Sequence, residues 1–146
     1  MSLAEPAFAV VAADFYGDLA DRLIAGASAE LSESGTSSIE HFRVPGAFEL
    51  PFAARQIALT GRFDGIVCVG AVIRGETDHY DYVCSEAARG ILQVGLDTGV
   101  PVGFGVLTVD TLDQALARSG GDKRDSGRHA AGAVLAQLEI KRQLSV

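Results

Sequence analysis

Four short apolar runs, AFAVVAA (7 to 13), IEHFRV (39 to 44), DGIVCVGAVI (64 to 73) and PVGFGVLTV (101 to 109), each precede a longer amphipathic stretch. The amphipathic stretches cover 16 to 34, 47 to 60, 78 to 98, 111 to 119 and 124 to 143, parted by turns such as SESGTSS and GGDKRDSG. A strand-then-helix unit repeated in this way cannot close as hairpins, because each strand must return by a crossover to lie parallel to another. The first, third and fourth runs are apolar along their whole length, as strands covered by helices on both faces must be. The second is mixed and suits an edge.

Right-handed crossovers then give an α/β, flavodoxin-like doubly wound sheet of four mainly parallel strands with helices on both faces. At 146 residues and 48% hydrophobic content, one unit spanning 1–146 with no linker or repeat is expected. The formal net charge of -7 argues against nucleic acid and anionic membranes, which require a basic face. No apolar run approaches the roughly 20 residues of a membrane span, and MSLAEPAFAVVAADFYG lacks a secretion pattern, so a cytoplasmic protein is expected. Cys68 and Cys84 lack metal-type spacing and read as reduced packing residues.

Doubly wound sheets bind ligands beyond the carboxyl ends of their strands, so chemistry is sought where each strand stops. After the first strand, Phe15 either staples the helix start or stacks on a planar ligand. After the second, Ala47, Phe48 and Glu49 open a helix behind Pro45 and Gly46. Glu49 either complements the helix dipole or accepts hydrogen bonds from ligand hydroxyls. After the third, Gly75, Glu76, Thr77, Asp78 and His79 form a polar turn, in which Thr77 or Asp78 can cap the following helix and Asp81 lies in its first turn. Glycine permits close approach, a helix start disfavours an imidazolium, and His79 there reads either as a base or as a merely solvent-facing residue. The amides of the turn suit a phosphate if the acidic side chains point away. Along the fourth strand, Phe104 reads as core, and Arg118 as a helix-end cation or a phosphate clamp. His41 and His129 read as an edge-strand and a helix-surface residue.

Taken in order, VPGAFELPFAA, GAVIRGETDHYDYVCSEAARGI and PVGFGVLTVDTLDQALARSG resemble the lumazine synthase family over nearly the entire chain. The resemblance implies condensation of 5-amino-6-(D-ribitylamino)uracil with 3,4-dihydroxy-2-butanone 4-phosphate to 6,7-dimethyl-8-ribityllumazine, without metal or redox cofactor. It also implies a homopentamer with sites at subunit interfaces, and leaves open whether pentamers stay free, pair or close into a shell. By resemblance, Phe15 stacks on the pyrimidine, Ala47, Phe48 and Glu49 hold the ribityl chain, and Ala71, Val72 and Ile73 meet the ring through backbone groups. Glu76 and Thr77 meet the butanone phosphate and His79 carries protons, while Phe104 and Arg118 arrive from the neighbouring subunit. Two departures stand out. Asp14-Phe15-Tyr16 replaces a common Arg-Phe-Asn, and Asp125-Ser126-Gly127 replaces Asn-Lys-Gly, leaving Lys123, Arg124 or Arg128 as alternative cations. The rival readings are a non-catalytic flavin- or lumazine-binding assembly protein and a pentameric riboflavin synthase.

Overall fold

A computed structural model describes residues 5–76, 78–120 and 124–145. Strands β1 (Ala7–Ala13), β2 (Ser38–Val44), β3 (Gly65–Ile73) and β4 (Val102–Val109) form one parallel sheet in the order β2-β1-β3-β4. Helices α1 (Gly17–Glu33), α2 (Leu50–Leu59), α3 (His79–Thr98), α4 (Leu112–Ala117) and α5 (Ser126–Leu144) connect and follow them. The doubly wound α/β sheet expected from the apolar runs is therefore what the chain forms, and the mixed second run is an edge strand.

Side chains alternate across the sheet, so each strand feeds two cores. Val10, Val67 and Leu107 face α1 and α5 with Leu23, Leu31 and Val134, whereas Val11, Cys68 and Val106 face α2 and α3 with Leu50, Ala54 and Ile91. The helices supply these faces at three- and four-residue spacing, as Leu19, Leu23, Ala27 and Leu31 do along α1. Close approach is enforced by glycine where α5 crosses α1. A Cβ on Gly127 would strike the carbonyl oxygen of Leu23, so only a residue without one lets the two backbones meet.

Helix ends are fixed by local chemistry. Thr111 accepts from the Gln114 amide at 3.1 Å to start α4, and the Asp125 carboxylate accepts from the Arg128 amide at 3.0 Å to start α5. Gly99, at φ 73°, ends α3 in a left-handed turn that costs glycine least. The β-order reverses between β1 and β3, which opens a crevice at their carboxyl ends, between the turns after β1, β2 and β3.

Candidate active site

A cavity of about 720 Å³ occupies that crevice. Phe15 enters from the turn after β1, where the Asp14 amide donates to the Val44 carbonyl at 3.0 Å and ties the ends of β1 and β2 together. Its ring meets Tyr16 edge-on with centroids 4.9 Å apart, yet Phe15 remains 74% exposed. Phe15 is thus no staple. Tyr16 packs against the core while Phe15 presents an aromatic face to the cavity.

The turn after β2 winds as a short 3-10 segment over Ala47–Glu49 before α2 begins. Pro51, in the first turn of α2, lacks the N–H that would go unsatisfied there. Ala47 is buried, Phe48 is exposed, and Glu49 makes no side-chain capping bond to α2. Among the described residues its carboxylate has no hydrogen-bond or ion-pair partner, and it lines the cavity. It stands in the first turn, where a carboxylate complements the helix dipole, without capping α2.

From β3 come Ala71, Val72 and Ile73, followed by Gly75, whose missing Cβ would meet nothing within 4 Å and so leaves open cavity space. His79 is the first residue of α3, is exposed and lines the same cavity. Asp78 stands at the N-cap but makes no side-chain capping bond; its carbonyl accepts from the Asp81 amide at 3.0 Å instead. Glu76 is exposed and outside the cavity lining, and Thr77 lies outside the described residues.

Tyr80, Tyr82 and Val83 also line the cavity, although the strand-end argument does not single them out. Their signal is nevertheless present in the sequence: positions 79, 82 and 83 share one face of a helix by three- and four-residue spacing. Partial burial first, and Cys84 next, push the Tyr80 phenol above its ordinary range, so it remains a neutral donor. Arg74, likewise unforeseen, lies 4.2 Å over the Tyr80 ring and donates from Nε to Asp110 Oδ1 at 2.9 Å.

Tyr80 is shared with a second groove of about 520 Å³, lined by Thr108, Asp110, Gln114, Arg118, Arg124 and Ser126 among others. Arg118 is at the C-cap of α4 and faces this groove, not the cavity of Phe15 and His79. Phe104 is on β4, opposite Cys68 in register, and is 45% exposed at the sheet edge, so it is not a core residue. It lines neither space.

Burial pushes the Cys68 thiol up to about 12, and burial likewise raises Cys84, so neither is poised as a thiolate. Among the described residues no three His, Cys, Asp or Glu side chains gather to hold a metal ion.

A family model described as 6,7-dimethyl-8-ribityllumazine synthase matches residues 5–142. The chain is similar to the 6,7-dimethyl-8-ribityllumazine synthase of Deinococcus radiodurans, with 49% identity covering 90% of this chain and 84% of that protein. It is 53% identical to the protein of the same name from Kineococcus radiotolerans, over 90% of this chain and 80% of the relative. The Nitratidesulfovibrio vulgaris protein of that name is 45% identical over 94% and 89%.

Proposed function

The chain belongs to the 6,7-dimethyl-8-ribityllumazine synthase family, and from that premise we propose that residues 1–146 work as one unit whose crevice is the substrate site. The enzyme is a transferase that condenses 5-amino-6-(D-ribitylamino)uracil with 3,4-dihydroxy-2-butanone 4-phosphate. The products are 6,7-dimethyl-8-ribityllumazine, phosphate and water, the penultimate step of riboflavin biosynthesis. The observation that carries the site reading is the meeting of Phe15, Glu49 and His79 in one cavity from three separate strand ends.

The pyrimidine stacks on the exposed ring of Phe15 and is flanked by the backbone of Ala71, Val72 and Ile73. The ribityl hydroxyls donate to Glu49 beside Ala47 and Phe48. The ketone enters over Gly75, where no side chain obstructs it, with its phosphate toward the amides of Glu76 and Thr77. The 5-amino group attacks the ketone carbon and expels water to form an imine. Removal of a proton from the adjacent carbon expels phosphate, and the ribitylamino nitrogen then closes the ring with loss of a second water.

His79, at the mouth of the cavity, carries these protons. Amines and ketones condense unaided, so the enzyme accelerates the reaction mainly by holding two substrates in contact, an effect that reaches about 7 to 11 kcal/mol in ideal cases.

The second half of each site, Phe104 and Arg118, comes from the neighbouring subunit of a cytoplasmic homopentamer. Two features support this. Phe104 is an exposed aromatic that lines neither the cavity nor the second groove, and Leu92, Leu96 and Ile140 line an exposed apolar groove that a neighbour would cover. No helix among the described residues is long and apolar enough to cross a membrane.

A non-catalytic assembly protein has no use for Phe15, Glu49 and His79 around one cavity, and a riboflavin synthase would consume the lumazine. Purified protein given the aminouracil and the butanone phosphate should accumulate lumazine. Given lumazine alone, it should form no riboflavin. The reverse pattern would overturn the assignment, and silence in both assays would favour the assembly protein.

A further inference from the structure

The groove beside Tyr80 carries two guanidinium groups, Arg118 and Arg124, that no carboxylate among the described residues neutralises. Arg43, Arg62, Arg74, Arg89 and Arg128 each pair with a carboxylate, and Arg22 donates to Ser119. Arg118 and Arg124 have no ion pair or side-chain hydrogen bond among the described residues. Their backbones are nevertheless clasped together. The Ser126 amide donates to the Arg118 carbonyl at 2.9 Å, the Gly120 amide donates to the Arg124 carbonyl at 3.0 Å, and Ser119 bridges Asp125 in antiparallel fashion.

Two like charges lining one groove repel, and the arrangement is stabilised when a dianion sits between them. The rest of the lining agrees. Thr108 and Ser126 place hydroxyls there, and the carboxylate of Asp110 is already engaged by Arg74 at 2.9 Å. Arg128 is committed to Glu30 and Glu33 at 3.2 and 3.0 Å, and Lys123 lies outside the described residues.

We propose that Arg124 is a second phosphate-binding residue, acting with Arg118 on the phosphomonoester end of the ketone substrate. This rests on the proposed function, in which Arg118 meets that phosphate. Arg124 supplies, from just before α5, the charge that Ser126 lacks in the same groove.

Inorganic phosphate is the probe, measured by calorimetry on the assembled protein and as a competitor of the butanone phosphate. Arg124→Ala should weaken phosphate and raise the ketone KM by about tenfold or more, as loss of one charge-assisted bond does. The aminouracil KM and the assembly mass should not move. Arg124→Lys should recover part of the loss, and so should Arg124→Ala combined with Ser126→Lys, which returns a cation to the same groove.

If Arg124→Ala binds phosphate within twofold of the parent while Arg118→Ala does not, Arg124 has no part in the site and the proposed reaction stands without it. If Arg124→Ala and Arg124→Gln both lose assembly, the residue is structural and the proposal fails. A parent protein that binds phosphate through Arg124 yet makes no lumazine would uphold this site and sink the proposed reaction.

Discussion

The Arg74 guanidinium lies 4.2 Å over the ring of Tyr80 while its Nε holds Asp110 at 2.9 Å and its Nη1 stands 3.7 Å from Asp81. The Arg74 amide also donates to the Val109 carbonyl at 2.9 Å, so backbone and side chain together join the ends of β3 and β4 to the first turn of α3. Tyr80 lines both the cavity and the second groove, and Arg74 packs against its ring.

Arg74→Lys keeps the charge but loses the planar stack and fork, so it should behave as a damaged site in an intact fold. The ketone KM should rise several-fold, on the order of the about tenfold attached to one lost contact, with little change in melting temperature. Equal damage from Arg74→Lys and Arg74→Ala is expected if the stack matters. Full activity in the lysine variant would show that charge alone suffices.

Gly127 and Gly75 should respond oppositely to alanine. At Gly127 a Cβ runs into the Leu23 carbonyl, so Gly127→Ala must push α5 from α1 and should cost roughly 1 to 3 kcal/mol in denaturant unfolding. At Gly75 nothing lies within 4 Å, so Gly75→Ala should leave stability alone and raise substrate KM by filling cavity space. A Gly127→Ala protein as stable as the parent would contradict the close crossing.

Arg128 clasps α5 to α1 through Glu30 and Glu33, and its hydrogen bond and charge hold the Glu33 carboxyl below the usual 4.5. A carboxyl whose folded value is depressed contributes stability above its unfolded value and loses it as pH falls through the folded one. The melting temperatures of the parent and Arg128→Met should therefore differ at pH 6 to 7, about two units above 4.5, and converge in acid. A constant difference across that range would assign the effect to packing.

His79→Ala should lower turnover by about tenfold to a hundredfold, at or below the low end of the 10²- to 10⁴-fold range for general acid-base catalysis, since the condensation proceeds unaided. Single-turnover assays at saturating substrates separate this from binding. Complete loss of turnover with normal binding would mean that His79 does more than move protons.

The sheet is legible in the sequence because its determinants are local: uninterrupted apolar runs place β1, β3 and β4 within a residue of where they lie. The 3-10 winding of Ala47–Glu49 is not legible, because a first helical turn and a 3-10 turn share composition and differ only in how the amides are partnered. Phe15, Glu49 and His79 can be found as strand-end residues, since topology alone brings those ends together. The exposure of Phe104 cannot. Its neighbours Val102 and Val106 on the same face of the same strand are buried, so alternation alone places Phe104 in the core. Arg124 is separated from Arg128 only by folding, which pairs Arg128 with α1.

Glu49 and His79 line one cavity of the chain, whereas Phe104 and Arg118 are outside it, so a site completed by a neighbour can be rebuilt from two defective subunits. One variant carries Glu49→Leu with His79→Ala, and the other Phe104→Ala with Arg118→Ala. Each alone should be nearly inactive. Unfolded and refolded together in equal amounts, they should form the proposed head-to-tail rings, where a shared site would be whole only when a subunit with the first half intact precedes one with the second half intact. Random assembly meets each condition in half the positions, so about a quarter of sites should recover, and activity should approach that fraction of the parent's. Mass spectrometry of the intact assemblies verifies mixing. Mixed rings that stay as inactive as the separate variants would mean that each subunit carries its own complete site, and that Phe104 and Arg118 serve the fold or the assembly instead of the substrate.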